Sequence, residues 1–247
     1  MLTREEFEAL RRKNAREMGA DKALQKDALS LLVKAIPHQW IQQTTWFGEP
    51  VLQLPQDLFS LQEIIFRTRP DYIVEIGVAW AGSLLFYSTL MEVLGGKGVI
   101  GVDVYIPEDL KARIKAAGRV ADRITLLQES SINPATIAKI QKLTGGSKAL
   151  MVHLDSDHTH AHVLKELNLY APLVGKGHYL ICGDTHVESL PPGTHGQKPY
   201  GPGNNPKTAL DEFLKSPAGK GMEIDAQFQD KYLFSLNPGG YLVRRGG

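Results

Sequence analysis

The sequence predicts an α/β fold, a mostly parallel β-sheet with helices on both faces, and three observations carry that expectation. Short apolar runs recur at 72–76, 98–102, 124–127, 149–154 and 178–182. Longer segments with helical spacing separate them, as in Leu84, Leu85, Leu90 and Leu94, and later Val163, Leu164, Leu167 and Tyr170. Crossovers of that length imply parallel pairing, and strands apolar throughout imply cover on both faces. Ligands of such sheets bind beyond the carboxyl ends of the strands.

Taken in order, Thr3 and Glu6 have capping-box spacing, and Phe7, Leu10 and Leu24 are scattered among charges. This predicts an amphipathic helical arm too poor in apolar residues to form its own core, packed on the main domain or on another subunit. From 39 to 55 the period is lost, and Trp40, Trp46, Phe47, glutamine and proline crowd a loop whose aromatics either line a pocket or simply pack. The expected division is therefore an arm and aromatic loop over 1–55 and one sheet domain over 56–247. Beyond the fifth run, 191–206 is dense in proline and glycine and reads as a lid or substrate loop. A helix over 207–215 and two short strands, 222–226 and 232–236, complete the expected order.

With 247 residues, 43% hydrophobic and 22% charged, the chain can bury one sizeable core. Its 28 basic and 27 acidic residues leave a net charge of +1, so nothing in the charge balance favours nucleic acid or an anionic membrane as partner. The only cysteine, Cys182, lies in an apolar run, as a buried inert thiol would in a reducing compartment. Residues 3–8 are charged, and no apolar stretch approaches the roughly 20 residues of a membrane span. A cytoplasmic location is expected.

The strand ends carry the chemistry. The first runs into Glu75, Ile76, Gly77, then Ala81, Gly82 and Ser83, a glycine-bearing turn opening a helix. The middle glycine of a dinucleotide-phosphate fingerprint is missing, and Glu75 would repel phosphates while attracting an ammonium or sulfonium. The second strand leads to Asp103, about 20 residues past Gly82, the separation expected of an acid holding ribose hydroxyls. Together they point to a nucleoside carrying positive charge. After the third strand, Ser130 offers a polar contact to a base, while Ser131 or Asn133 can cap the next helix.

The fourth strand ends in His153, Asp155, Asp157, His158 and His160, and the fifth in Gly183, Asp184 and His186. If these strands are neighbours, Asp155 and Asp184 converge as an oxygen-rich site for Mg²⁺ or another hard cation; the alternative is a pair of helix caps. His158 follows closely enough to act as a general base, with His160 and His162 expected to face solvent and His153 to pack beneath.

At these residues the chain resembles the cephalosporin hydroxylase and rhamnosyl O-methyltransferase family, from about Trp46 to the C-terminus. The likeness includes Trp46, Phe47 and Gly48; Leu54 and Pro55; the 75–83 turn; Leu154, Asp155, Ser156 and His158 with the 163–167 helix segment; and the ending from Asn237 to Tyr241. The resemblance implies a Rossmann-like class I methyltransferase fold, S-adenosylmethionine as cofactor, and transfer of its methyl to a small-molecule hydroxyl. It also implies cofactor binding by Glu75, Gly77 and Asp103, metal ligation by Asp155 and Asp184, and deprotonation by His158. Gly82, Ser83, Ser130 and Asp155 complete the expected cofactor contacts, and a homo-oligomer is expected from the arm and aromatic loop. One departure stands out: such relatives place Glu-Asp where this chain has Gly183 and Asp184.

Two competing readings follow from the same residues. His153 and Asp155 with His186 or His195 match the composition of a two-histidine, one-carboxylate iron site, although the β/α alternation differs from the all-β barrels in which that set is expected. Alternatively, Gly183 marks a decayed site in a binding domain.

Overall fold

The computed structural model describes residues 2–246. Two helices open the chain, α1 (Arg4–Ala20) and α2 (Lys22–Ala35), followed by a small hairpin of β1 (Thr45–Trp46) and β2 (Glu49–Pro50). The sheet domain then runs α3 (Pro55–Thr68), β3 (Tyr72–Ile76), α4 (Gly82–Leu94), β4 (Gly98–Asp103), α5 (Glu108–Ala116), β5 (Ile124–Gln128), α6 (Pro134–Leu143), β6 (Leu150–Leu154), α7 (His160–Tyr170) and β7 (Tyr179–Cys182). It ends with α8 (Pro206–Lys215), β8 (Met222–Ile224), α9 (Gln227–Asp230) and β9 (Tyr241–Arg244).

Among the described residues seven strands form the central sheet, in the order β5-β4-β3-β6-β7-β9-β8. The first five are parallel, and β9 runs antiparallel between β7 and β8. The chain winds outward from β3 through β4 to β5, then returns to β6 on the other side of β3. The β3–β6 boundary is therefore the topological switch point, where open α/β sheets bind ligands.

Alternation along the strands sorts the core into two layers. Ile73, Val99, Met151, Ile181 and Val243 pack toward α3, α4 and α5, and Val74, Ile100, Val152, Leu180 and Leu242 toward α6, α7 and α8. Cys182 is fully buried in the second layer, and burial raises its thiol well above the ordinary value. The Thr3–Glu6 capping box forms as expected, with Glu6 N–H donating to Thr3 Oγ1 at 3.2 Å and Thr3 N–H to Glu6 at 2.7 Å. No residue of α1 is buried, whereas α2 buries Ala28 and Leu32. No described helix is long and apolar enough to cross a membrane.

One expected strand is corrected. Residues 232–236 are irregular, and the last strand is instead Tyr241–Arg244. The apolar side chains of 232–236 serve a different purpose: Leu236 is buried with Leu32 and Leu54, and Phe234 packs edge-on against Trp40 at 5.7 Å. The segment's backbone is held by side chains rather than by a neighbouring strand. Asp57, 1% exposed near the start of α3, accepts from Leu236 N–H at 3.0 Å, from Tyr241 O–H at 2.9 Å and from Ser235 O–H. Burial nevertheless pushes the Asp57 carboxyl above its ordinary value, so the three donors only partly offset desolvation. Asp57→Ala is expected to leave these donors unmatched and to lower stability by at least about 2 kcal/mol, read as a shifted urea midpoint at unchanged slope; an unshifted midpoint would contradict the assigned role.

Candidate functional site

The site is built by backbones that come together at the strand tips. Parallel pairing continues past β3 and β6, with Asp155 N–H donating to Ile76 carbonyl at 2.8 Å, Gly77 N–H to Val102 carbonyl at 2.9 Å and Gly183 N–H to Leu154 carbonyl at 2.8 Å. Gly77 has φ 95°, and a Cβ there would overlap the Asp155 carbonyl oxygen. Glycine is required at that crossing both for its left-handed conformation and for lack of room.

A cleft of about 450 Å³ opens at this switch point, lined by Gly77, Ala79, Asp103, Glu129, Ser131 and Asp155, with Ser156, Asp157 and His162 alongside. Of the expected cofactor residues, Gly77, Asp103 and Asp155 line it. Glu75, Gly82, Ser83 and Ser130 do not, and each is placed otherwise. Glu75 is 2% exposed, takes a hydrogen bond from Ser83 Oγ at 2.8 Å and lies 3.5 Å from His153 Nδ1, so it underlies the cleft. Gly82 sits beneath the β1–β2 hairpin, where a Cβ would overlap the Pro50 carbonyl. The Ser130 carbonyl accepts from Thr136 Oγ1 at 2.8 Å, and Asn133 caps α6.

Asp103 orders the glycine-bearing turn. Its Oδ2 accepts from Val78 N–H at 2.8 Å and its Oδ1 from Tyr105 N–H at 3.0 Å. Each carboxylate oxygen thus keeps a further lone pair, and Asp103 lines the cleft. Ala79 and Ala81 in this turn have φ 45° and 64°, a left-handed geometry that non-glycine residues adopt under local constraint.

His162 does not face solvent as the sequence predicts. It points into the cleft wall, with Nε2 3.1 Å from both Ser131 Oγ and Glu166 Oε1. The hydrogen bond to Glu166 raises its imidazole above the ordinary value. Fully buried Glu166 also accepts from Ser131 at 2.6 Å and Ser156 at 2.7 Å, making it the common anchor of that wall. His160 turns away to α8, with Nδ1 2.9 Å from Thr208 Oγ1 and Nε2 3.1 Å from Glu212.

On the β7 side, Asp155, His158 and Asp184 come together, each offering a ligand atom within 4.8 Å of the others. Their chemistry, two carboxylates and an imidazole, fits a divalent cation. Burial first, and then the neighbouring Asp184, push the Asp155 carboxyl up to about 6. Two acids held this close repel each other, and a bound cation would relieve that repulsion. Asp184 has φ 52° and is aimed by its own N–H, which donates to Asn237 Oδ1 at 3.0 Å. Thr185 Oγ1 donates to the Pro238 carbonyl at 2.9 Å, so the 237–241 ending is a cradle for this strand tip. Gly183 is not a vacant slot for a further acid. A Cβ there would lie 2.8 Å from the Leu154 carbonyl and 3.1 Å from Asp155 Oδ1, so Asp155 has closed over the position.

The iron-type set is not assembled. The only group of three potential ligands among the described residues is Asp155, His158 and Asp184. His153 is fully buried with Nδ1 2.8 Å from Tyr87 O–H, and His186 Nδ1 lies 3.0 Å from the Leu236 carbonyl. Burial alone would lower the His153 imidazole, but the hydrogen bond to Glu75 and the nearby Asp155 outweigh it and raise it.

From the 191–206 loop, the Tyr200 ring meets His158 edge-on at 4.9 Å, with His195 of the same loop tilted against it at 5.0 Å. The aromatic loop before α3 mostly packs: Trp46 stands edge-on to Phe86 at 5.1 Å and donates to Thr89 Oγ1 at 3.1 Å. The residue of that loop that reaches the site is Gln53, which no sequence pattern singles out; its Nε2 donates to Asp155 Oδ2 at 2.8 Å.

The chain is similar to known proteins over most of its length. The rhamnosyl O-methyltransferase of Mycobacterium tuberculosis (strain ATCC 25618 / H37Rv) is 29% identical over 217 residues, covering 84% of this chain and 83% of its own. Among solved structures, ligand-free CmcI superposes with a TM-score of 0.58 at 20% identity, over 83% of this chain and 78% of that one. CmcI with Mg and SAM gives 0.55 at 20% identity over the same shares. At that identity these two speak for the fold, while the family model for Rhamnosyl O-methyltransferase/CmcI matches residues 38–245, and the chain belongs to that family.

Proposed function

We propose that this chain transfers the methyl group of S-adenosylmethionine to a hydroxyl of a small molecule, a sugar or secondary metabolite, assisted by Mg²⁺ or another divalent cation. One observation carries the reading: the carboxylates of Asp103, Glu129, Asp155 and Asp157 line a single cleft at the sheet's switch point. Such a cleft repels polyphosphates and attracts a cationic nucleoside. The names of the relatives support the reaction class, since a rhamnosyl O-methyltransferase matches 84% of this chain and a CmcI structure contains Mg and SAM.

In this reading Asp103 takes the ribose, Ser131 and His162 border the base, and Glu75 adds negative potential from below. Asp155 and Asp184 hold the cation, because a hard ion prefers oxygen, and His158 is thereby left for the proton. When bound, the cofactor supplies an electrophilic methyl and the cation makes a nearby hydroxyl more acidic. His158, with Nε2 3.4 Å from Asp184 Oδ2, accepts that hydroxyl's proton. Tyr200 fixes its ring, and the 191–206 loop shields the His158 side of the site from water.

We read residues 1–55 as an appendage to the methyltransferase domain of 56–247, and the protein as a cytoplasmic homo-oligomer. Phe7 and Leu10 on the arm, 53% and 44% exposed, support self-association. Light scattering checks it: a mass above one chain is expected, and a monomer at micromolar concentration would reject it.

Native mass spectrometry of the purified protein is expected to show a retained adenosyl ligand, or uptake of added S-adenosylhomocysteine; no binding of either would sink the cofactor assignment. His158→Asn is expected to keep S-adenosylhomocysteine and Mn²⁺ binding while methyl transfer falls by roughly 10²–10⁴-fold. Loss of Mn²⁺ binding in that variant would instead make His158 a ligand.

A further inference from the structure

The segment 51–54 enters the site from outside the parallel sheet. It is pinned where Val51 N–H donates to the Thr44 carbonyl at 2.9 Å, and it then passes through Leu52 at φ 56°. Leucine resists that left-handed conformation because its Cβ crowds the backbone, and such strain persists only where the surroundings impose it. Here Val51 and Leu54 are buried in separate apolar clusters on either side of the turn. Gln53, between them, is driven inward to 1% exposure, with Nε2 donating to Asp155 Oδ2 at 2.8 Å. Its other polar atom, Oε1, is buried with no hydrogen-bond partner among the described residues. Buried amides are normally satisfied at both ends, so a half-satisfied one beside a reactive cluster marks a place for a missing partner.

We propose that Gln53 is a positioning residue of the Asp155–His158–Asp184 site, its N–H locking one oxygen of Asp155 while its free Oε1 accepts a hydrogen bond from a water or hydroxyl held there. The proposal rests on the reading of that trio as a cation site. A neutral amide suits this position because it donates to a carboxylate in a crowded acidic cluster without the positive charge by which lysine or arginine would repel a divalent cation. Committing Oδ2 to the amide leaves Oδ1, which faces Gly183 on the β7 side, as the oxygen available beside Asp184. Partners of this kind orient metal-binding carboxylates, and their loss typically weakens metal affinity roughly 10–100-fold.

The test uses the full chain with Gln53→Met, which keeps length and loses both polar atoms, and Gln53→Asn, which keeps the amide but is one methylene too short to reach Asp155. Mn²⁺ is titrated by the electron paramagnetic resonance of the free ion, with thermal melting and metal-free S-adenosylhomocysteine affinity measured alongside. Both variants are expected to bind Mn²⁺ roughly 10–100-fold more weakly than wild type at unchanged S-adenosylhomocysteine affinity. Wild-type Mn²⁺ affinity in either folded variant, even with a lowered melting temperature, overturns the proposal and leaves Gln53 a packing residue. If Gln53→Met does not fold, Gln53→Asn alone decides. If the wild type binds no Mn²⁺, the cation reading itself fails and the positioning role goes with it, whereas equal binding by wild type and variants removes only the role of Gln53.

Discussion

The site depends on how closely three backbones approach at the end of the sheet. Ladder hydrogen bonds continue beyond β3 and β6, carrying the chain past the last regular residue of each strand and bringing Gly77 under Asp155 and Gly183 against it. Side chains are excluded from both glycine positions, so the acids that follow are set by main-chain geometry, a stiffer support than rotamers alone. The cleft on one side and the Asp155–Asp184 pair on the other are two outcomes of this single convergence.

Around that convergence, the remaining polar contacts aim the site. Asp57 in α3 holds the 235–241 segment, Asn237 in that segment holds Asp184, and Gln53 from the opposite direction holds Asp155. Glu166 gathers Ser131, Ser156 and His162 into the far wall. Buried groups that serve several donors at once tie distant parts of the chain together, since removing one leaves several groups unmatched.

Much of this was legible in the sequence because it follows from local pattern. Apolar runs separated by helical spacing announce the parallel sheet, and acids that end consecutive strands must meet once β6 and β7 are neighbours. What escaped depends on partners far away along the chain. Gln53 and Asp155 are distant in sequence, and no periodicity links them; His162 turns inward only because Glu166 and Ser131 await it. The 232–236 run has strand composition, but its apolar side chains cover Trp40 and Leu32 while Asp57 occupies its backbone, and Tyr241–Arg244 takes the place in the sheet. Ser131 rather than Ser130 reaches the cleft because the turn after β5 commits the Ser130 carbonyl to starting α6.

The stretch from 191 to 206 is fastened at its two ends, where Leu190 and Asn205 are buried, and Asn205 Nδ2 donates to Glu188 at the near end of the same stretch. Between these anchors most residues lie at the surface and contribute nothing to either layer of the core. Core packing therefore places few demands on that stretch, and variation in its sequence bears less on the two layers than on the contact between Tyr200 and His158.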